Sequence, residues 1–328
     1  AFIVEHPVKR EVFAADFRDR IVHDYVCLRL EPLFEKVMPD SMTSNRKGRG
    51  TLYAINRVYD AIKRVSNNYT SDAWIWKFDL QGFFMSIDKR ILNRKLQAFI
   101  DEEYHGPDKH IIKWLTGKII MHCPQKNCIR KSKPCAWVGL RADKSLFNQD
   151  DYHGMPIGNL PSQMFANFLL KDMIAFLAEH GFTEHTQFVD DGVSVHHSKA
   201  EIIAFIPVLR KWLKDNLGIT LHPNKCYIQH YTKGVSFVGA LIKPHRTYVS
   251  KRTRRKMLAK TYWIVHKGGL ADNLTSILQT VNSYFGQTRH TRNYKLRLQV
   301  ANELFGLLHN KIYFTRHCEK MTISRAQS

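Results

Sequence analysis

No stretch of the chain approaches the ~18 consecutive apolar residues that a membrane-spanning helix needs. The start of the chain also lacks the charged-then-apolar order of a secretory signal, so the expectation is a cytoplasmic protein with no membrane partner. Cysteine is scarce. Cys27, Cys123, Cys128, Cys135, Cys226 and Cys318 are the six in 328 residues, too few for a disulfide scaffold. His122 with Cys123, Cys128 and Cys135 lacks the Cys-x-x-Cys spacing of a zinc knuckle, and reduced thiols are expected. Internal repeats and low-complexity tracts are absent, which excludes a repeat array. Acidic residues are few, 29 Asp+Glu against 50 Lys+Arg, for a formal net charge of +21. Such an excess points to a polyanionic partner, because each phosphate neutralised releases condensed counterions.

At 328 residues, 44% hydrophobic and 24% charged, the chain is long enough for roughly two domains. Phe17, Ile21, Tyr25, Leu28 and Leu33 predict a helix entered near Asp16 and ended around Pro32. Ser44 to Thr51 is a glycine-laced basic loop without Walker spacing, leading into a helix through Leu52, Ile55, Val58, Tyr59 and Ile62. Trp74 to Asp79 alternates faces as a strand, with Ile75, Lys77 and Asp79 on one side. A helix through Ile91, Leu92, Leu96 and Phe99 follows Phe83-Phe84. Residues 122–153 read as loops and short strands. Gly154 to Gln163 is a glycine- and proline-rich loop that delivers a helix carrying Phe165, Phe168, Leu169, Met173 and Leu177. Ser198-Lys199-Ala200-Glu201 is a capping box opening a helix that Pro207 should kink or divide and Gly218 should stop. Tyr227 to Gln229 and Val235 to Ile242 read as the two arms of a hairpin. Beyond Lys243 the pattern turns helical and cationic. Gly268-Gly269 should break it, Leu270, Leu274, Ile277, Leu278, Val281, Tyr284 and Phe285 form a stripe ended by Gly286, and Tyr294, Leu296, Leu298 and Leu304 mark a last helix. The expected division is an α+β part, 1–242, and a basic helical part, 243–328.

One stretch organises the rest: Thr186-Gln187-Phe188-Val189-Asp190-Asp191-Gly192-Val193-Ser194-Val195. It reads as a tight hairpin with Asp190 and Asp191 at its tip and Gly192 supplying a permissive backbone. By itself Asp-Asp-Gly also fits a surface turn. Adjacent carboxylates repel and raise each other's pKa, an arrangement a divalent cation relieves. If this hairpin pairs with the strand ending at Asp79, three carboxylates meet. That set suits two Mg²⁺ ions about 3.5–4 Å apart serving an in-line phosphoryl displacement, with the basic loop neutralising a triphosphate.

The ordered series Arg46-Lys47, Lys77-Phe78-Asp79 with Phe83-Phe84, Gly154-Met155-Pro156-Ile157-Gly158, Phe188-Val189-Asp190-Asp191, Asn224-Lys225 and Phe237-Val238-Gly239 resembles the motif set of reverse transcriptases over residues 15–242. The resemblance implies a right-hand polymerase of α+β class: fingers and palm of antiparallel sheet plus helices over 1–242, and an all-helical thumb over 243–328. It implies Asp79, Asp190 and Asp191 as metal ligands and Lys225 as the proton donor to pyrophosphate. Arg46 and Lys47 would contact the nucleotide phosphates, and Phe84 would gate the ribose 2′-hydroxyl. Phe237 and Gly239 fall in the primer grip, and Arg252, Arg254, Arg255 and Lys256 on the duplex-clasping thumb. Phe188 stands where many relatives have tyrosine. Ile157 stands where other branches usually carry a glutamine near the nucleotide sugar, and with Gly158, Ser162 and Gln163 it makes an Ile-Gly-x-x-x-Ser-Gln pattern.

That pattern resembles the reverse transcriptases of diversity-generating retroelements, which copy a template RNA with errors concentrated at adenines. An apolar residue in place of a hydrogen-bond donor lets a mispair forfeit less binding energy. The resemblance implies a bacterial cell or phage-infected cell, a template RNA, a cDNA primer, dNTPs and a small helical accessory protein. Relatives usually carry residues before the point where this chain begins, at Ala1, so an upstream segment is expected. No RNase H, endonuclease or maturase domain is expected after the thumb. A retron, group II-like or phage-defence reverse transcriptase, and a non-catalytic RNA-binding scaffold, are the competing readings.

Overall fold

The structure is a computed structural model that describes residues 1–6, 8–266 and 274–324. The expected break at Gly268-Gly269 and the stripe position Leu270 lie outside these residues. Packing divides the chain into two units, one of Ala1–Ala61 with Ala73–Ile228 and the other of Ile62–Asp72 with Gln229–Ser328. The division thus follows Ile228, whereas the change in composition lies near residue 243.

In the first unit a short antiparallel hairpin, β1 (Phe2–Val4) with β2 (Arg10–Val12), precedes helix α1 (Phe17–Val37). Asp16 caps α1 by accepting from the Arg18 amide. The helix does not end at Pro32. The carbonyl deprived of its partner belongs to Leu28, a residue 61% exposed, where the lost bond is not stranded in the core. The expected apolar stripe is also not the docking face. Phe17, Ile21, Tyr25 and Leu28 are exposed, whereas Val26, Cys27, Leu30 and Phe34 are buried. Phe34 stacks on Phe168 with ring centroids 5.0 Å apart.

Then follow α2 (Thr51–Val65), whose last turn from Ile62 is counted with the second unit, β3 (Trp74–Asp79), the single turn α3 (Phe83–Ser86), α4 (Lys89–Glu103) and α5 (Lys109–Met121). Residues 122–153 hold short 3-10 turns and no strand among the described residues. Their anchor is Glu11, whose buried carboxylate accepts from Trp137 Nε1 (2.7 Å), Ser145 Oγ (2.8 Å) and the Leu146 amide (2.6 Å).

Helix α6 (Leu160–Glu179) leads to strands β4 (His185–Phe188) and β5 (Asp191–His196), and then α7 (Lys199–Leu217). Pro207 lies inside α7 without dividing it; the carbonyl it leaves unpaired is that of Ile203, itself 53% exposed. Strand β6 (Tyr227–His230) completes a sheet of order β4-β5-β3-β6. Instead of pairing with Val235–Ile242, β6 takes the sheet edge beside β3.

In the second unit the run Val235–Ile242 is itself a hairpin, β7 (Val235–Phe237) and β8 (Ala240–Lys243), extended by β9 (Arg246–Val249). Its two turn residues, Val238 and Gly239, both have positive φ, +39° and +85°, as a type I′ turn requires. Helices α8 (Lys251–His266), α9 (Leu274–Thr288) and α10 (Tyr294–Leu308) pack around Phe285, Val281 and Leu304. Helix α9 passes Gly286 because the next turn is held by Phe285 and Thr288, both buried, against a glycine cost of only about 1 kcal/mol. This region is not purely helical. Besides β9 it carries the antiparallel pair β10 (Ile312–Phe314) and β11 (Met321–Ile323). No helix among the described residues is long and apolar enough to cross a membrane.

Candidate active site

The antiparallel register of β3 and β5 sets Asp79, the last residue of one strand, directly opposite Asp191, the first residue of the other. The β4–β5 hairpin closes Phe188 on Asp191, leaving Val189 and Asp190 as its two-residue turn. The Asp190 carbonyl accepts from the Leu80 amide at 3.1 Å, and the Asp79 carbonyl from that of His222 at 2.8 Å. Strand pairing alone thus gathers the three carboxylates.

The glycine beside them has a different duty from the one expected. Gly192 lies in β5 opposite Phe78, and a Cβ there would sit 2.5 Å from the Phe78 ring. The left-handed turn residue is Val189, with φ +55°. A β-branched residue in that region costs roughly 1–3 kcal/mol and persists only when its surroundings enforce it.

Buried side chains do so from both sides. The Val189 amide donates to Ser44 Oγ (3.1 Å), and its carbonyl accepts from Gln187 Nε2 (2.8 Å). Ser44 is fixed in turn by Asn167 of α6, whose Nδ2 donates to the Ser44 carbonyl (2.8 Å) while Ser44 Oγ donates to Asn167 Oδ1 (3.3 Å). Gln187 Oε1 accepts from His185 Nε2 (2.8 Å), leaving His185 Nδ1 to accept from the Ser194 hydroxyl (2.7 Å). Burial pushes the His185 pKa down to about 4, so the ring is neutral and this pattern fixes its tautomer. Ser44, Asn167, His185, Gln187 and Ser194 are all at most 2% exposed. Sequence reading gave these residues no role. The available signal was Asn167, a lone amide within the apolar run Phe165 to Leu170.

Burial first, then the charges of Asp79 and Asp191, raise the Asp190 pKa to about 6. Burial likewise raises that of Asp191, against the pull of Lys77, whose Nζ is 3.4 Å from Asp191 Oδ1. Lys225 Nζ lies 2.6 Å from Asp79 Oδ2. Each of these two carboxylates is thus paired with a lysine, and the three aspartates do not form a trio with donor atoms all within 4.8 Å. Converging carboxylates whose ionisation is opposed by burial and mutual repulsion fit a divalent-cation site.

A pH dependence follows from the direction of the Asp190 shift. The folded pKa of about 6 exceeds the ordinary 3.8, so without a divalent cation folding stability is lost as pH rises from about 4 through about 6. A cation offsets that loss. Mg²⁺ is expected to raise the thermal midpoint more at about pH 7.5 than at about pH 5; equal increments would contradict a buried, cation-dependent Asp190.

The remaining expected residues are placed as follows. Arg46 is turned inward: Nε and Nη2 donate to Glu35 (2.9 and 2.8 Å), and Nη1 donates to the carbonyls of Pro39 (2.6 Å) and Met42 (3.0 Å). It shapes the basic loop, and Lys47 next to it is exposed. Phe83 is core. Phe84 and Ile157 pack on one small cluster with Phe13, Met85 and Leu146, tied by the Met155 amide donating to the Phe84 carbonyl (2.7 Å) and the Phe13 amide to that of Ile157 (2.8 Å). Gly158 has φ +117°, and a Cβ would meet Val12 Cγ1 at 2.7 Å. Gln163 is half-buried near the start of α6. Phe237, Gly239 and the exposed Arg252, Arg254, Arg255 and Lys256 of α8 belong to the second unit. Phe237 is buried there, and Gly239 sits at the β7–β8 turn.

The family model described as reverse transcriptase (RNA-dependent DNA polymerase) matches residues 9–242. No curated protein matches the sequence. Among solved structures, apo telomerase from Candida tropicalis is similar with a TM-score of 0.53 at 12% identity, over 87% of this chain and 48% of that one. A form of the same telomerase truncated from its C-terminal domain gives 0.49 at 15% identity, over 70% and 45%. Telomerase from Candida albicans in complex with a fragment of telomeric RNA gives 0.45 at 12% identity, over 87% and 52%. The chain spans about half the length of these structures, and at such identity the first likeness bears on the fold.

Proposed function

Because this chain belongs to the reverse transcriptase family, the RNA-dependent DNA polymerases, we propose that it copies a template-repeat RNA into cDNA with errors concentrated at adenines, as in the mutagenic retrohoming of a diversity-generating retroelement. The observation that carries the polymerase chemistry is the register that sets Asp79 against Asp191 beside the clamped Asp190. Mg²⁺ ions held by these three aspartates would lower the pKa of a primer 3′-hydroxyl and neutralise charge on the leaving pyrophosphate. The hydroxyl oxygen gives up its proton to solvent and attacks the α-phosphorus of a dNTP, and the bond from that phosphorus to the bridging oxygen breaks. Lys225, within reach of Asp79, supplies a proton to the departing pyrophosphate. Lys47, rather than the inward-turned Arg46, meets the triphosphate.

Phe84 stands as the 2′-hydroxyl gate. The infidelity is assigned to Ile157, which shares an apolar cluster with Phe84 and offers no hydrogen bond whose loss would penalise a mispair. Arg252, Arg254, Arg255 and Lys256 hold the phosphates of the template–primer duplex, and a small helical accessory protein uses another part of the basic surface. The test is primer extension on an RNA template with sequencing of the products. Native errors should cluster at template adenines and fall several-fold in Ile157→Gln, at a cost consistent with one regained hydrogen bond of about 1 kcal/mol. Accurate synthesis indifferent to Ile157→Gln would instead favour a retron, group II-like or phage-defence enzyme.

A further inference from the structure

At the far end of β5 from Asp191 stands a second cluster of metal-binding side chains: His196, His197 and Glu201. Five steps of about 3.3 Å along the strand put His196 roughly 16–17 Å from Asp191, outside the polymerase site. His196 Nε2 lies 3.6 Å from Glu201 Oε2, and His197 Nε2 lies 3.5 Å from Glu201 Oε1. One donor atom from each of the three residues lies within 4.8 Å of the others, and no other such trio of His, Cys, Asp or Glu occurs among the described residues.

We infer that His196, His197 and Glu201 bind a divalent transition metal, with Zn²⁺ the ion their nitrogen and oxygen donors fit best. Ligands about 2.1 Å from a tetrahedral ion stand about 3.4 Å apart, close to the two imidazole–carboxylate separations observed, each to a different oxygen of Glu201. Two imidazoles and a carboxylate suit Zn²⁺ rather than the all-oxygen shell of Mg²⁺, and a water completes the tetrahedron.

Two further observations favour a ligand over a chance ion pair. In a capping box the glutamate at the third helical position reaches back to the amide of the capping residue. Here Ser198 Oγ accepts from the Glu201 amide (3.3 Å), but the Ser198 amide goes to His196 Nδ1 (3.2 Å), and the Glu201 carboxylate turns to the two imidazoles. His196, 7% exposed, also has Nδ1 3.3 Å from the Ser198 carbonyl. When Nε2 binds a metal, the proton moves to Nδ1, which gives up the bond it accepts from the Ser198 amide and donates instead to that carbonyl, the outer-shell bond that usually orients a ligating histidine. The ion would fasten the end of β5 to the first turn of α7.

The test is calorimetric titration of the full chain with Zn²⁺, with excess Mg²⁺ present to hold the aspartates, in the native protein and in His197→Ala and Glu201→Gln. Both substituted residues are exposed, so the variants should fold. The expected result is one Zn²⁺ per chain, an affinity reduced about tenfold or more in each variant, and a Zn²⁺-dependent rise in thermal midpoint that both variants lose. No Zn²⁺ uptake by the native protein, or uptake equal in all three, as binding to the cysteines would give, would overturn the assignment.

Discussion

Asp190→Asn is expected to stop DNA synthesis, with kcat falling by about 10³-fold or more, while affinity for an RNA template–primer stays within about twofold because the cationic surface is untouched. The same substitution is expected to stabilise the cation-free protein. Asp190 is held near pKa 6 by burial and by Asp79 and Asp191, so its charged form opposes folding at neutral pH. A shift from 3.8 to about 6 corresponds to at most about 3 kcal/mol, and the asparagine removes the charge without changing the shape. Activity and stability therefore move in opposite directions, which a merely disruptive mutation does not produce. Thermal unfolding at neutral pH without divalent cation, beside a primer-extension assay, reads both. A lower midpoint in Asp190→Asn would show that the carboxylate is not under the repulsion described.

Asn167→Ala is expected to lower kcat by about 10²-fold with little change in template affinity. The substitution leaves Ser44 without its anchor, and Ser44 holds the amide of Val189 in a conformation the residue does not favour. A relaxed turn displaces Asp190, and a shift near 1 Å at a catalytic group costs about that factor. Unfolding stability should fall by about 1–3 kcal/mol for the stranded buried polar groups. The clamp predicts coupling: Ser44→Ala and Asn167→Ala act through one contact to the turn, so the double variant should lose little more kcat than either single variant. Additive losses would place Asn167 in general stability rather than in the positioning of Asp190.

The strand ending at Asp79 and the aspartate hairpin were legible because alternation of faces and a short turn are local signals, and one register then brings Asp79 to Asp191. The clamp was not legible. Ser44 and Asn167 are 123 residues apart in sequence, and no periodicity reports a hydrogen bond across that distance. Helix α1 shows a different limit. Phe17, Ile21 and Leu28 form as good an apolar stripe as Val26, Leu30 and Phe34, and which of them docks depends on the partner helix. Pro32 and Pro207 misled for a shared reason: each frees the carbonyl of an exposed residue, Leu28 or Ile203, rather than one in the core. Gly192 was recognised as special, but its reason is the Phe78 ring across the sheet rather than the turn. Arg46 likewise carried the right charge for a phosphate, and only the fold shows its guanidinium closed on Glu35.

The most direct test of the account is incorporation of dNTPs by the native chain on a primed RNA template, with and without Mg²⁺, alongside a measurement of template binding under both conditions. The account predicts Mg²⁺-dependent extension of the primer and binding that persists when the ion is removed. Tight binding with no extension in Mg²⁺, with a native template RNA and accessory protein supplied, would contradict it and leave an RNA-binding scaffold built on a polymerase fold.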